Sequence, residues 1–184
     1  MRTFVVADLH FGDEAVCTRY RRADGSPLRP FASAAEMDTE IIRRWNQSVT
    51  ERDLVYVLGD VGRGANVRSM RLLAGRKRLI AGNGDDVAKI ATLGVFESIA
   101  VAKWLPGFLL THIPVHPSQL RRGTVNIHGH LHANTVSDPR YICVSVEQTD
   151  FRPVCVSEIG NGTLKRFGSS CNRLQSNIDP LPIS

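Results

Sequence analysis

The chain has 184 residues, 42% apolar and 22% charged, the balance of one globular domain with a sizeable core rather than of a disordered segment. Lys and Arg number 23 against 18 Asp and Glu, a net charge of +5 that suits an anionic substrate or a plain solvated surface. A nucleic-acid partner is permitted but not indicated, because no dense basic stripe is present. No apolar run approaches a membrane span, and the apolar start "MRTFVVADLH" is short and meets Asp8 at once, so a cytoplasmic protein without a membrane partner is expected. The four cysteines (Cys17, Cys143, Cys155, Cys171) form no CxxC pair and read as reduced structural thiols.

Residues 2–7, "RTFVVA", are β-branched and aromatic and predict a buried strand. Residues 11–32 are rich in Gly, Arg, Pro and Ser and predict a long loop. Ser33 and Glu36 form a capping box, and the helix after it places Met37, Ile41, Trp45 and Val49 on one face. "LVYVLGD" is a second strand ending at Asp60. A short helix is predicted over about residues 65–74, stopped by Gly75. "KRLIAGN" is a third strand, and "DDVAKIATL" a short helix with Asp85 and Asp86 at its positive end. Then "FESIAVAKW", "GFLLTH", "TVNIHGH" and "YICVSVE" predict strands without good helices between them. A βαβα half followed by a mainly β half suggests a two-sheet sandwich with helices outside, over residues 1–159. The polar stretch of residues 160–184 lacks periodicity and reads as a loosely attached, partly disordered extension.

Several strands end in the same kind of residue. Asp8 and His10 follow the first, Asp60 the second and Asn83 the third; His112 follows "GFLLT", and "HGHLH" carries His128, His130 and His132. A lone His after a strand is usually a hydrogen-bonded structural residue, and a lone "GD" or "GN" is usually a turn. The weight lies in the conjunction. Parallel strands place such ends along one sheet edge, and residues two apart point to the same side of an extended segment. Carboxylate, imidazole and amide oxygen together suit Mn, Fe, Zn or Ni better than Ca or Mg.

The ordered set "DLH", "GD", "GN", "TH", "GHLH" resembles the calcineurin-like metallophosphoesterase family over Asp8 to His132. "DLHFG", "RPF" and a helix holding "RWN" further resemble a small bacterial and phage branch of it. The resemblance implies an α/β fold, a four-layer αββα sandwich of two mixed sheets flanked by helices. It also implies two divalent metal ions, manganese first with Fe, Zn or Ni as alternatives. By position, Asp8, His10 and His132 would hold one ion, Asn83, His112 and His130 the other, and Asp60 would bridge; His128 falls outside the pattern as a structural neighbour. A metal-bridging hydroxide would then attack phosphorus, with Asp60, Asn83 and His112 at the reacting centre. No Ser or Cys has an obvious activating partner, so a covalent route is disfavoured.

Many relatives in that family carry His after the "GN", near the leaving-group oxygen; this chain carries Gly84. Leaving-group assistance by a general acid is typically worth 10²–10⁴-fold. Other members that resemble this chain in lacking the His tend to act on phosphodiesters. The expectation is therefore a phosphodiesterase, weak on monoesters, acting on a phosphate-ester small molecule or nucleotide-type substrate. A Gly84→His change is expected to raise monoesterase turnover. His116 is a candidate substitute acid, with Asp13 and Asp85 weaker ones; Gly84, Arg22, Arg29 and Arg63 are candidate substrate contacts. Alternatives are a phosphomonoesterase, a nucleotide phosphohydrolase or nuclease, and a catalytically silent scaffold of the same fold.

Overall fold

Four strands, β1 (Thr3–Val6), β2 (Leu54–Val57), β3 (Arg76–Ile80) and β4 (Ile99–Ala100), run parallel in a computed structural model that describes residues 1–160. The stretch "FESIAVAKW" is not one strand. It divides at Val101, with β4 completing the first sheet and β5 (Ala102–Leu105) opening a second. That second sheet continues with β6 (Phe108–Thr111), β7 (Val125–His128) and β8 (Tyr141–Cys143) in the order β5-β6-β7-β8. There β5 is antiparallel to β6 and the other pairs are parallel. The last strand, β9 (Val154–Cys155), returns antiparallel to β1 at the edge of the first sheet. Both sheets are therefore mixed.

β1 is buried on both faces, as a central parallel strand must be. Phe4 and Val6 enter a core shared with the helices, while Val5 and Ala7 enter a core between the sheets with Leu110, Ile127 and Val144. The sheets meet where Ala7 pairs with Ser145; its N–H donates to the Val144 carbonyl at 2.9 Å and its carbonyl accepts from Val146 N–H at 3.1 Å. This seam brings the end of β1 beside the end of β8.

The helices α1 (Glu14–Thr18), α2 (Ala34–Ser48) and α3 (Val87–Thr92) pack on the outer face of the first sheet. Met37, Ile41 and Trp45 of α2 are fully buried, as the periodicity predicts. Ser33 caps α2 by accepting from Glu36 N–H at 3.2 Å; the Glu36 carboxylate reaches Ala32 N–H rather than that of the cap residue. The 11–32 loop holds α1, capped by Asp13, which the sequence pattern does not reveal. Gly64–Leu72 is a 3₁₀ helix rather than an α-helix, and Arg63 before it supplies no side-chain cap.

The chain from Val156 to Gly160 forms α4, with Ile159 buried in the inter-sheet core. The expected extension otherwise lies outside the described residues. Every buried residue of α1–α4 belongs to one of the two cores, so among the described residues no helix covers the outer face of the second sheet. The loop after β6 lies there instead: Val115 N–H donates to Asn126 Oδ1 at 3.0 Å, and Tyr141 Oη donates to the Val115 carbonyl at 2.7 Å.

Candidate metal centre

Asp8, Asp60 and Asn83 follow the ends of β1, β2 and β3, which lie side by side and parallel; His112 follows β6, and His130 and His132 follow β7. Five of these positions have left-handed backbone: Asp8 (φ 59°), His10 (53°), Asp60 (50°), His130 (69°) and His132 (52°). Each such conformation at a non-glycine residue costs on the order of 1–3 kcal/mol, and its clustering points to a functional site. The surroundings enforce it. Asp8 N–H donates to the Gly59 carbonyl at 3.1 Å and His10 N–H to that of Asp60 at 3.0 Å. Asp85 is not a helix-end charge, as its position suggested. Its carboxylate accepts from Asp60 N–H at 3.1 Å, Val61 N–H at 2.9 Å and Gly82 N–H at 2.8 Å, stapling the turn that presents Asp60.

Two donor groups result. Ligand atoms of Asp8, His10 and His132 lie within 4.8 Å of one another, and so do those of Asp8, Asp60 and His112. Asp60 faces both, with Oδ2 at 3.7 Å from His10 Nε2 and Oδ1 at 3.6 Å from His112 Nε2. Asn83 Oδ1 lies 2.8 Å from His112 Nε2. The His130 ring stands 5.2 Å from the His112 ring, and its backbone N–H donates to Asp8 Oδ2 at 2.9 Å. All seven residues singled out from the sequence thus come together.

Three imidazoles are aimed from behind. His112 Nδ1 donates to the Leu58 carbonyl at 2.8 Å, which leaves the Nε2 lone pair for the centre. His132 Nδ1 faces Glu147 Oε1 at 2.9 Å, and His10 Nδ1 faces Asp13 Oδ2 at 3.3 Å. Asp8 Oδ1 and His10 Nε2 are buried and have no hydrogen-bond partner among the described residues, and Asp8 Oδ2 accepts from Ser145 Oγ at 2.6 Å. Buried lone pairs without donors are uncommon and are what a cation would satisfy. Burial, then Arg29, pushes His10 down to about 4, so its imidazole is neutral and ligand-competent near pH 7. Burial raises Asp8 against the lowering pull of His132. Burial opposes charge on Glu147 too, but Arg29 and the His132 hydrogen bond outweigh it and hold the carboxyl at about 2. The residues present therefore fit divalent ions of the Mn, Fe, Zn or Ni kind.

Glu147 and Ser145 were missed from the sequence. Both sit in the "VSVE" run, where strand character masks their polarity. His128 is buried on the outer face with Nδ1 to the Gly129 carbonyl at 2.8 Å, a structural position as expected. Burial pushes the Cys143 thiol up to about 11, far from a nucleophilic thiolate.

The substrate-contact candidates divide. Arg22, Arg63 and Gly84 line a cleft of about 910 Å³ that opens over His10, Asp60 and His132. Arg29 does not reach it. It is fully buried, donating to the carbonyls of Asp8 at 2.5 Å and Leu9 at 2.9 Å and pairing with Glu147 at 2.8 Å, so it holds the "DLH" turn rather than a phosphate. His116 does not line this cleft; it is exposed, caps the turn Pro117–Gln119 and contacts Ser118 Oγ at 2.9 Å, so it is not placed as an acid. Asp13 is taken up by His10 and by Arg63 Nε at 2.9 Å.

Fold and site define a two-sheet α/β protein with a candidate metal centre on its strand-end edge. No family model matches the chain. It is 28% identical over 170 residues to an uncharacterized protein of Methanocaldococcus jannaschii, covering 86% of this chain and 89% of that one. It is also 28% identical over 168 residues to the Gene 66 protein of Mycobacterium phage L5, covering 71% and 77% of the two. A solved protein of unknown function from Aquifex aeolicus shares the fold, with a TM-score of 0.64 at 22% identity over 87% of this chain and 98% of that chain. No described helix is long and apolar enough to cross a membrane.

Proposed function

We propose that the chain is a metal-dependent phosphodiesterase of the calcineurin-like metallophosphoesterase type, acting in the cytoplasm on a phosphate-ester small molecule or nucleotide-type substrate, although no described helix supplies the fourth layer of that family's sandwich. Asp60 carries the reading. One carboxylate faces imidazole nitrogens from two different strand ends, at 3.7 Å and 3.6 Å, between two donor groups that share Asp8. Two divalent ions, manganese first, would supply an activated water and neutralise phosphoryl charge there. The chain's own residues do the rest. Leu58, Glu147 and Asp13 fix the three imidazoles, and the wide cleft admits the ester. Arg63 bonds Asp13 through Nε alone among the described residues and offers its remaining N–H groups to phosphoryl oxygens. The scaffold alternative is disfavoured because all seven positions keep ligand-type side chains.

The preference for diesters rests on Gly84. It gives a backbone N–H to Asp60 Oδ1 at 2.8 Å and no side chain to protonate a leaving group. Monoesters should lose the roughly 10²–10⁴-fold that an acid provides. With Mn²⁺ added, bis(p-nitrophenyl) phosphate is expected to be hydrolysed well and p-nitrophenyl phosphate poorly; a clear preference for the monoester would overturn the reading.

The structure also sharpens what a side chain at this position does. A Cβ on Gly84 would lie 3.0 Å from Asp60 Oδ1 and 3.3 Å from its Cγ, so the Asp60 carboxylate must shift by a few tenths of an ångström. Gly84→Ala is expected to lower diesterase kcat/KM roughly tenfold, since small misplacements at a reacting centre are expensive. Gly84→His carries the same displacement, so its gain shows in the monoester-to-diester ratio rather than in absolute turnover. An unchanged ratio counts against the leaving-group argument.

A further inference from the structure

A second cleft, of about 320 Å³, meets the wide one at His10, Asp60, Arg63 and Gly84. Its character differs. Val67 and Ile90 form an apolar floor, each 3% exposed, with half-buried Leu93 beside them. Asp86 and Lys89 stand at its edge, and none of these residues belongs to the donor groups. A small concavity with an apolar floor and a few polar groups at its mouth is the usual form of an organic-ligand subsite. Gly84 lines both clefts, and any side chain there would begin at Asp60 Oδ1 and stand where they join. The missing side chain therefore opens a passage as well as removing an acid.

We propose that this second cleft binds a flat apolar ring, aryl or nucleobase, carried by the ester arm of a phosphodiester that stays on phosphorus. The inference rests on the phosphodiesterase reading and adds a substrate class to it. The diester straddles Asp60, with its leaving arm in the wide polar cleft and its retained ring on Val67, Ile90 and Leu93. Arg63, at the junction, meets the phosphate between them.

The test uses two diesters with one leaving group, phenyl p-nitrophenyl phosphate and methyl p-nitrophenyl phosphate, with Mn²⁺. Wild-type kcat/KM should favour the phenyl diester by on the order of 10- to 100-fold, the effect of seating a ring on apolar surface. The thymidine 5′-(p-nitrophenyl phosphate) ester distinguishes nucleobase from aryl. Leu93→Trp, which fills the cleft from a half-buried position, should collapse the preference toward unity. Lys89→Trp, at an exposed position on the rim, should reduce it and serves as the second variant if Leu93→Trp does not fold. Calorimetric binding of diphenyl phosphate against dimethyl phosphate provides a readout apart from turnover. Hydrolysis of both diesters at equal kcat/KM, without ring-dependent binding, overturns the subsite and leaves the phosphodiesterase reading standing. Ring-dependent binding that the variants abolish, without hydrolysis, supports the subsite and overturns the phosphodiesterase reading. Neither hydrolysis nor binding overturns both.

Discussion

Arg29→Met is expected to destabilise the protein by about 3–5 kcal/mol, the usual result of removing one partner from a buried ion pair. Arg29 and Glu147 are both fully buried at the side chain, and they are 2.8 Å apart. Without the guanidinium, the Asp8 and Leu9 carbonyls lose their donors where Asp8 and His10 already hold left-handed backbone. Glu147 loses its buried guanidinium partner. Its other partner is His132 Nδ1, so the damage travels to a candidate metal ligand. Urea denaturation measures the stability loss, and Mn²⁺ titration should show affinity reduced by roughly 10–100-fold, the usual penalty for disturbing a group that orients a ligand. The double variant Arg29→Met/Glu147→Leu separates the two effects. It restores most of the stability, because no unpaired charge remains, but not the metal affinity, because His132 has lost its partner. Recovery of both would mean that Glu147 has no part in aiming His132. A loss below about 1 kcal/mol for Arg29→Met would return Arg29 to the surface role that its sequence neighbourhood suggested.

That pair also marks the limit of what a sequence shows. The ligand pattern was legible because it is local: each donor directly follows an apolar run, and the run sets its direction. Arg29 and Glu147 lie 118 residues apart, and only the seam at Ala7 and Ser145 brings them together. Arg29 sits among Arg22, Pro27 and Pro30 in a stretch that reads as a surface loop, yet its tip is the best-buried guanidinium the described fold contains. Asp85 misled in a similar way. Beside Asp86 at a helix start, it looks like a dipole partner, but three backbone amides from two loops claim it. The sheet count was legible in outline only. Residues 96–104, "FESIAVAKW", read as one strand, and the switch between sheets at Val101 carries no local signal, since both halves have strand composition. The left-handed backbone at five donors contradicts their local preference, and such conflicts concentrate at functional sites.

The second large effect is metal-linked stability. Chelator-treated protein should gain about 4 kcal/mol when Mn²⁺ is added at a thousand times its dissociation constant. For a chain of this size that corresponds to a rise of roughly 8–16 °C in the thermal midpoint. The physical source is repulsion and orphaned lone pairs gathered in one place. Asp8 Oδ1 and His10 Nε2 lack partners among the described residues, and His112 turns its Nε2 lone pair toward Asn83 Oδ1 at 2.8 Å. These groups are not organised in the unfolded chain, so ion binding favours the folded form almost exclusively. Asp60→Asn is the decisive control. The amide oxygen can still accept the Gly84 N–H bond of 2.8 Å, so the chelator-treated midpoint stays near that of the wild type. The charge shared between the two donor groups is gone, so most of the Mn²⁺-dependent rise should disappear, and the proposed phosphodiesterase activity with it. Differential scanning fluorimetry with Mn²⁺, Fe²⁺, Zn²⁺ and Ni²⁺ ranks the metals in the same experiment. A midpoint that no ion moves, in wild type and Asp60→Asn alike, would leave five strained residues without a metal to explain them. It would return the fold to the scaffold reading that its complete donor set argues against.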